Sequence, residues 1–381
     1  MKGFFLPVMK ARLILFVIFT SLITACNNPK PQTSVKGSAA NTPASTKVID
    51  TLPDATISIA AVGDIMLGSS YPDSTFLPAN GAKNTFKYPI EHLRKADITF
   101  GNLEGVLLDT GAPVGYKLRF QHQGYLFRMP TKYGAILKDA GFNILSVGNN
   151  HSNDFDYAGR KSTIKTLDSL AITAAGFKSQ PFKTFIKDGV KYGFCAFSPN
   201  GQTVSLLQIA NAKSIISHLK ANSDVVIVSF HGGGEGTEYE HVPDSTEIFK
   251  RENRGDLRRF THAAVDAGAD VVIGHGPHVA RGMELYKKRL IAYSLGNFAT
   301  YKGVSVAGVC GLAPLLKLQI DKKGEFLSGQ IISYTQNHQV GLRPDTLNRA
   351  AIRIKKLTEA DFTQPGLIIS DSGEITPAVL N

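Results

Sequence analysis

The chain has 381 residues, 43% of them hydrophobic and 19% charged, enough apolar material for a substantial core in one large domain or two smaller ones. Its formal net charge is +11, yet the basic residues are scattered and no DNA- or RNA-binding motif accompanies them. Nucleic acid is therefore excluded as the expected partner, and the charge points to solubility and attraction to anionic surfaces or substrates. The three cysteines include no C-x-x-C pair, which excludes a zinc knuckle or a redox motif.

In chain order, Lys2, Lys10 and Arg12 precede the apolar run LILFVIFTSLI, of secretory-signal length and too short to span a membrane comfortably. Ile23-Thr24-Ala25-Cys26 follows and resembles the lipobox of bacterial lipoproteins. That resemblance implies removal of residues 1–25 and lipidation of Cys26. The protein would then be exported and lipid-anchored at the cell membrane or outer membrane, facing the periplasm or exterior. Residues 26–55, rich in Pro, Ser, Thr, Asn and Ala, read as a flexible tether.

From Ile57 short apolar runs alternate with helix-like stretches, the pattern of an α/β domain expected over residues 56–341. Helices are expected at Tyr88–Lys95, Thr131–Ala140, Ala158–Leu170, Ser205–Asn222 and Glu247–Gly268, with stops at Gly141, Gly176 and Gly268. FKTFIKDGVKYGFCAF reads as a hairpin turning at Asp188-Gly189. Residues 342–381 are expected to be a peripheral extension. Cys195 and Cys310 lie in apolar, strand-like runs, either as a disulfide or as two buried free thiols.

Six apolar runs end alike, each on Gly or His plus a group able to bind a metal or phosphate. They lead into Gly63-Asp64, Gly101-Asn102-Leu103-Glu104, Gly148-Asn149-Asn150-His151, His231-Gly-Gly-Gly-Glu235, Gly274-His275-Gly-Pro-His278 and Gly296-Asn297. Ligands in open α/β sheets sit beyond the carboxyl ends of strands, so these groups are expected to converge. Asp64, Glu104, Asn150, His231, His275 and His278 are the candidate metal ligands. This carboxylate, amide and imidazole set suits one or two divalent ions such as Mn, Fe or Zn. His151 is the candidate general acid, with Asp154 orienting its ring. Asn102, Glu235 and Asn297 extend the set toward a substrate. Glu235 and Arg128 fit a substrate contact or a rim ion pair equally. His122, His241 and His262 carry no such context.

AAVGDIMLG, GNLEGVL, GNNHSND, SFHGGGEG, AGADVVIGHGPHV and AYSLGNF, in that order, resemble the CapA family of capsule or poly-γ-glutamate synthesis proteins. The resemblance implies a four-layer α/β/β/α sandwich of the metallophosphoesterase type. It implies one metal site from Asn150, His231 and His275 and another from Asp64 and His278, with Glu104 near the bridging position and His151 as the catalytic histidine. Three departures stand out. Met66 occupies the place of a ligand histidine, Asn102-Leu103-Glu104 replaces the bridging Asp motif, and the last two histidines are three residues apart. The expected function is a metal-dependent hydrolase or transferase in capsule or anionic-polymer synthesis or export. Its partners would be a membrane, an anionic polymer or phosphate-bearing envelope substrate, and a membrane synthase complex. A non-catalytic polymer- or synthase-binding scaffold and a general periplasmic phosphatase are the alternatives.

Overall fold

Continuous apolar runs, rather than alternating ones, mark strands covered on both faces, and such strands form the centre of this domain. The computed structural model describes residues 56–118, 125–339 and 341–378. The expectations for the signal segment, Cys26, the tether and His122 fall outside them. Among the described residues no helix is long and apolar enough to cross a membrane.

The chain begins with β1 (Ile57–Met66), α1 (Ile90–Lys95), β2 (Ile98–Leu103), β3 (Val106–Leu107), α2 (Gly115–Leu118) and β4 (Arg128–Met129). It continues through α3 (Tyr133–Ala140), β5 (Ile144–Ser146), α4 (Asp156–Ser169) and β6 (Thr173–Ala175). The hairpin β7 (Phe182–Lys187) and β8 (Val190–Phe197) turns at Asp188-Gly189 as its sequence predicts. There follow α5 (Ile209–Ala221), β9 (Val225–His231), β10 (Glu247–Phe249), β11 (Glu252–Gly255), α6 (Leu257–Asp266) and β12 (Val271–His275). The last part holds β13 (Met283–Tyr286), β14 (Arg289–Ala292), β15 (Asn297–Thr300), β16 (Leu312–Ile320), β17 (Phe326–Asn337), β18 (Gly341–Pro344), α7 (Arg349–Asp361), β19 (Leu367–Ile369) and β20 (Glu374–Pro377).

One sheet runs β19-β20-β17-β16-β1-β2-β5-β6, with β15 paired to β1 and β18 to β17. The other runs β13-β14-β12-β9-β8-β7. The two sheets share a core in which Ile59, Phe100 and Ile144 meet Phe194, Ile227 and Ile273. The opposite face of the first sheet packs Val62, Leu103 and Leu145 under Leu93, Leu137 and Leu167 of α1, α3 and α4. The opposite face of the second packs Val226, Val228 and Val272 under Ile216, Leu219 and Phe260 of α5 and α6. These layers form the expected α/β/β/α sandwich.

Three expectations need correction. The helix predicted from Glu247 starts only at Leu257, where Asp256 caps it by accepting from the Arg259 N–H at 3.0 Å. Residues 247–255 form a hairpin instead, because the Glu247 carboxylate is drawn inward onto Arg281 by two 2.8 Å hydrogen bonds. Gly176 ends β6 rather than a helix; a Cβ there would lie 2.5 Å from the Gly148 nitrogen, so it lets the 148–151 loop pass. The stretch from 342 is not peripheral as far as it is described. Ala351 and Ile354 of α7, Leu367, Ile369 and Ile375 enter the core between the sheets, and β20 pairs with β17. Cys195 and Cys310 are buried free thiols.

Candidate metal centre

Strand register brings the predicted groups together. Asp64 of β1 stands beside Asn102 of β2 on one side and Asn297 of β15 on the other. His231 and His275 are paired neighbours at the ends of β9 and β12. Gly63 permits this convergence, since a Cβ there would lie 2.0 Å from the Gly296 carbonyl oxygen and 2.6 Å from that of Leu295. His278 follows β12 at φ +57, a left-handed conformation costly for a side chain with a Cβ. Its ring is held at one nitrogen by two neighbours: Nδ1 lies 3.0 Å from Asp64 Oδ2 and 3.1 Å from Asn297 Oδ1.

Asp64, Glu104 and His278 offer ligand atoms that all lie within 4.8 Å of one another. His275 Nδ1 is 3.3 Å from Asp64 Oδ1 without hydrogen-bond geometry, and His278 Nε2 is 3.5 Å from Glu104 Oε1. Both Glu104 oxygens, Asn150 Oδ1 and both ring nitrogens of His231 and His275 are buried with no hydrogen-bond partner. Orphaned polar atoms on this scale are costly, and bound divalent cations would satisfy much of the set, through one nitrogen of each imidazole. The charges agree. Burial pushes the Asp64 carboxyl up, but His275 and His278 outweigh it and hold it well below the carboxylate range. Burial drives Glu104 well above that range, with Asp64 and Glu235 adding to the rise. Burial opposes a charge on His278, yet Glu104 and Asp64 raise it to about 10. Two fully buried carboxylates this close cannot both ionise without a positive centre beside them. The residues present therefore fit a divalent ion, and Met66 is not among them: it packs with Phe127 and Val304, and its Sδ accepts from the Gly68 N–H at 3.3 Å.

His151 and Asp154 lie in contact beside the cluster. His151 Nδ1 lies 2.8 Å from Asp154 Oδ2, and its Nε2 lies 4.0 Å from Glu104 Oε1. Burial lowers the proton affinity of His151, partly countered by Asp154. Burial pushes Asp154 up, but His151 and Lys117 hold it below its usual value. Asp154 also accepts from the Phe127 N–H at 2.7 Å and from Lys117 Nζ. Phe127 stacks on the His151 ring with centroids 4.1 Å apart.

Other predicted residues divide by burial. Asn102 is fully buried, donating to Asp64 Oδ1 at 2.8 Å and accepting from Asn149 Nδ2 at 3.1 Å, so its amide is engaged by neighbouring side chains and does not line the cleft. Asn297 is likewise buried, its amide donating to the carbonyls of His278, Ser305 and Cys310. Glu235 does line the cleft above the cluster, together with Asn150, His151 and His278; the cleft encloses about 1220 Å³. Arg128 spends its guanidinium on Ser70 and the Gly111 carbonyl. His241 and His262 pair with Asp361 and Glu284 away from that cleft. Sequence reasoning passed over Asn149, Lys117, Phe127 and Arg254. Only Asn149, inside the GNNH stretch, carried a local signal; the others sit on elements whose place beside the cluster depends on the fold.

Residues 58–302 match the family described as bacterial capsule synthesis protein PGA_cap. The PGA biosynthesis protein CapA of Bacillus subtilis (strain 168) is 31% identical over 278 residues, 68% of this chain and 67% of that protein. The capsule biosynthesis protein CapA of Bacillus anthracis is 29% identical over 272 residues, 65% of this chain and 60% of that protein. A 5'-nucleotidase precursor of known structure from Thermus thermophilus is 14% identical with a TM-score of 0.39, covering 80% of this chain and 59% of that one. With the six strand-end motifs folded into one cluster and the family match spanning most of the sandwich, this chain belongs to the bacterial capsule synthesis protein family PGA_cap.

Proposed function

We propose that the chain is a lipid-anchored cell-envelope protein that acts in capsule or poly-γ-glutamate synthesis or export as a metal-dependent hydrolase or transferase on an anionic or phosphate-bearing substrate. The observation that carries this reading is the group of buried, unpartnered ligand atoms on Glu104, Asn150, His231 and His275, next to a histidine–aspartate pair. A pure scaffold has no physical need to bury such a set.

Asn150, His231 and His275 would hold one ion, and Asp64, Glu104 and His278 a second. A bound divalent ion supplies charge stabilisation and an activated oxygen nucleophile. The chain's own residues do the rest. Asn102 and Asn297 fix Asp64 and His278. Asp154 holds the His151 proton on Nδ1, which leaves Nε2 to exchange a proton with a substrate oxygen. An arriving anion raises the proton affinity of His151 against the lowering caused by burial. A second reading, a polymer- or synthase-binding scaffold, is favoured by Met66, which packs its thioether against Phe127 and Val304 where a ligand is expected.

The deciding measurement is metal content of the full chain, purified in detergent without chelator or His-tag, beside an Asn150→Ala/His231→Ala variant. Near-stoichiometric Mn, Fe or Zn that disappears in the variant supports the metal centre. A folded wild type that takes up no metal even after incubation with Mn sinks it. Incorporation of labelled fatty acid, lost in Cys26→Ser, tests the anchor; unlabelled wild type refutes it.

A further inference from the structure

Arg254, on β11, lines the cleft with only 2% of its surface exposed. Its Nη1 donates to Glu235 Oε1 at 2.9 Å, while Nε and Nη2 have no hydrogen-bond partner. Those two nitrogens form one edge of the planar guanidinium, where two N–H groups point the same way and match the two oxygens of a carboxylate or phosphate. Leaving that edge bare in a buried site is unfavourable. The buried Arg281 shows the usual solution in the same protein. Its two terminal nitrogens each donate to Glu247 at 2.8 Å, and its Nε to the Tyr239 carbonyl at 2.7 Å. Arg258 and Arg289 each leave a single nitrogen unpartnered, and neither lines the cleft.

The position of Arg254 is set on several sides. Its carbonyl accepts from the Gly233 N–H at 3.0 Å, and its guanidinium lies 5.8 Å from the Phe249 ring centroid. Glu235, which holds Nη1, also accepts from Asn150 Nδ2 at 3.4 Å. The guanidinium is thus tied through one carboxylate to a residue of the metal cluster, with its free edge left for something the protein does not provide.

We infer that the free Nε/Nη2 edge of Arg254 receives a two-oxygen anion of the substrate, a phosphate or a carboxylate group, and holds it beside the metal cluster. The inference rests on the reading of that cluster as a reaction site and narrows its substrate to one whose reacting end is an oxoanion. The cleft, at about 1220 Å³, is larger than any single oxoanion, so the rest of the substrate lies along its walls, which include Tyr116 and Tyr125.

Inorganic phosphate and acetate serve as probes of the two anion classes, with binding to the full chain followed by ligand-observed NMR in metal-loaded and metal-free protein. The wild type binds at least one of them, and the stronger probe identifies the class. Arg254→Lys, which keeps the charge and loses the parallel edge, weakens that binding about 10-fold, and Arg254→Met about 100-fold. Metal content stays at the wild-type level in both variants. If Arg254→Met does not fold, the Lys variant decides alone. No binding of either probe by the wild type, or binding within twofold of wild type in the folded variants, overturns the inference. A chain that holds no metal yet binds phosphate in an Arg254-dependent way keeps this site and discards the metal centre instead.

Discussion

Asp154 offers the sharpest test of how His151 is held. Its carboxylate has no exposed surface and accepts from the Phe127 N–H at 2.7 Å, from Lys117 Nζ and from His151 Nδ1 at 2.8 Å. Asp154→Ala leaves all three of these donors without their acceptor at once. Breaking a buried ion pair from one side costs about 3–5 kcal/mol. The lower end applies, because the Lys117 side chain is 23% exposed and can turn to water, while the Phe127 N–H cannot. A loss of about 3 kcal/mol in unfolding free energy is expected, read from urea midpoints at constant slope. Asp154→Asn keeps one oxygen for Phe127 and should lose about 2 kcal/mol. Lys117→Met should cost less in the Asp154→Ala background than in the wild type, because its carboxylate partner is already gone, so the two changes are not additive. The same variants report on chemistry. Nitrogen-15 NMR should show His151 protonated on Nδ1 in the wild type and a mixture of tautomers in Asp154→Asn. An Asp154→Ala protein within about 0.5 kcal/mol of wild type, or strict additivity with Lys117→Met, would refute the idea that this carboxylate anchors the site.

Three further outcomes follow from the site and the strands that hold it. Metal-free protein should lose stability as pH rises from about 7.5 toward 10. His278 is raised to about 10 and Glu104 lies well above its usual value, while His151 and His231, lowered by burial, oppose them only near 6.5 where unfolded histidine still holds protons; above about 7.5 the folded state therefore binds more protons than the unfolded chain. Stabilisation by added Mn should grow over the same range, because ligands must shed protons to bind it; urea midpoints with and without Mn that run parallel in pH would contradict this. Gly63→Ala should cost more than about 3 kcal/mol and abolish metal uptake, since its Cβ would meet the backbone oxygens of Gly296 and Leu295 and force β1 from β15. A wild-type melting temperature would show that the strand ends are less tightly joined than described.

The strand-end groups were legible because each pairs an apolar run with Gly or His and a polar side chain over a few consecutive residues. Asp64, Glu104, Asn150, His231, His275 and His278 could all be named that way, as could the turn at Asp188-Gly189. The hairpin at Glu247–Gly255 was not, because its sequence also reads as the start of α6; a single buried partner, Arg281, decided it. The burial of α7 and β20 escaped notice for a similar reason, since their apolar positions are few and gain meaning only against the sheet they cover.

By itself the sequence determined which chemical groups stand at the ends of strands, through local hydrophobic period and turn chemistry that need no distant partner. Tertiary structure alone decided what each group faces. Strand order sets Asp64 against His278, 214 positions apart, buries Asn102 and Asn297 as supports, and places Arg254, with two unpartnered nitrogens, in the wall of the cleft. Contacts between elements far apart in the chain depend on sheet register and layer packing, which short sequence windows do not encode.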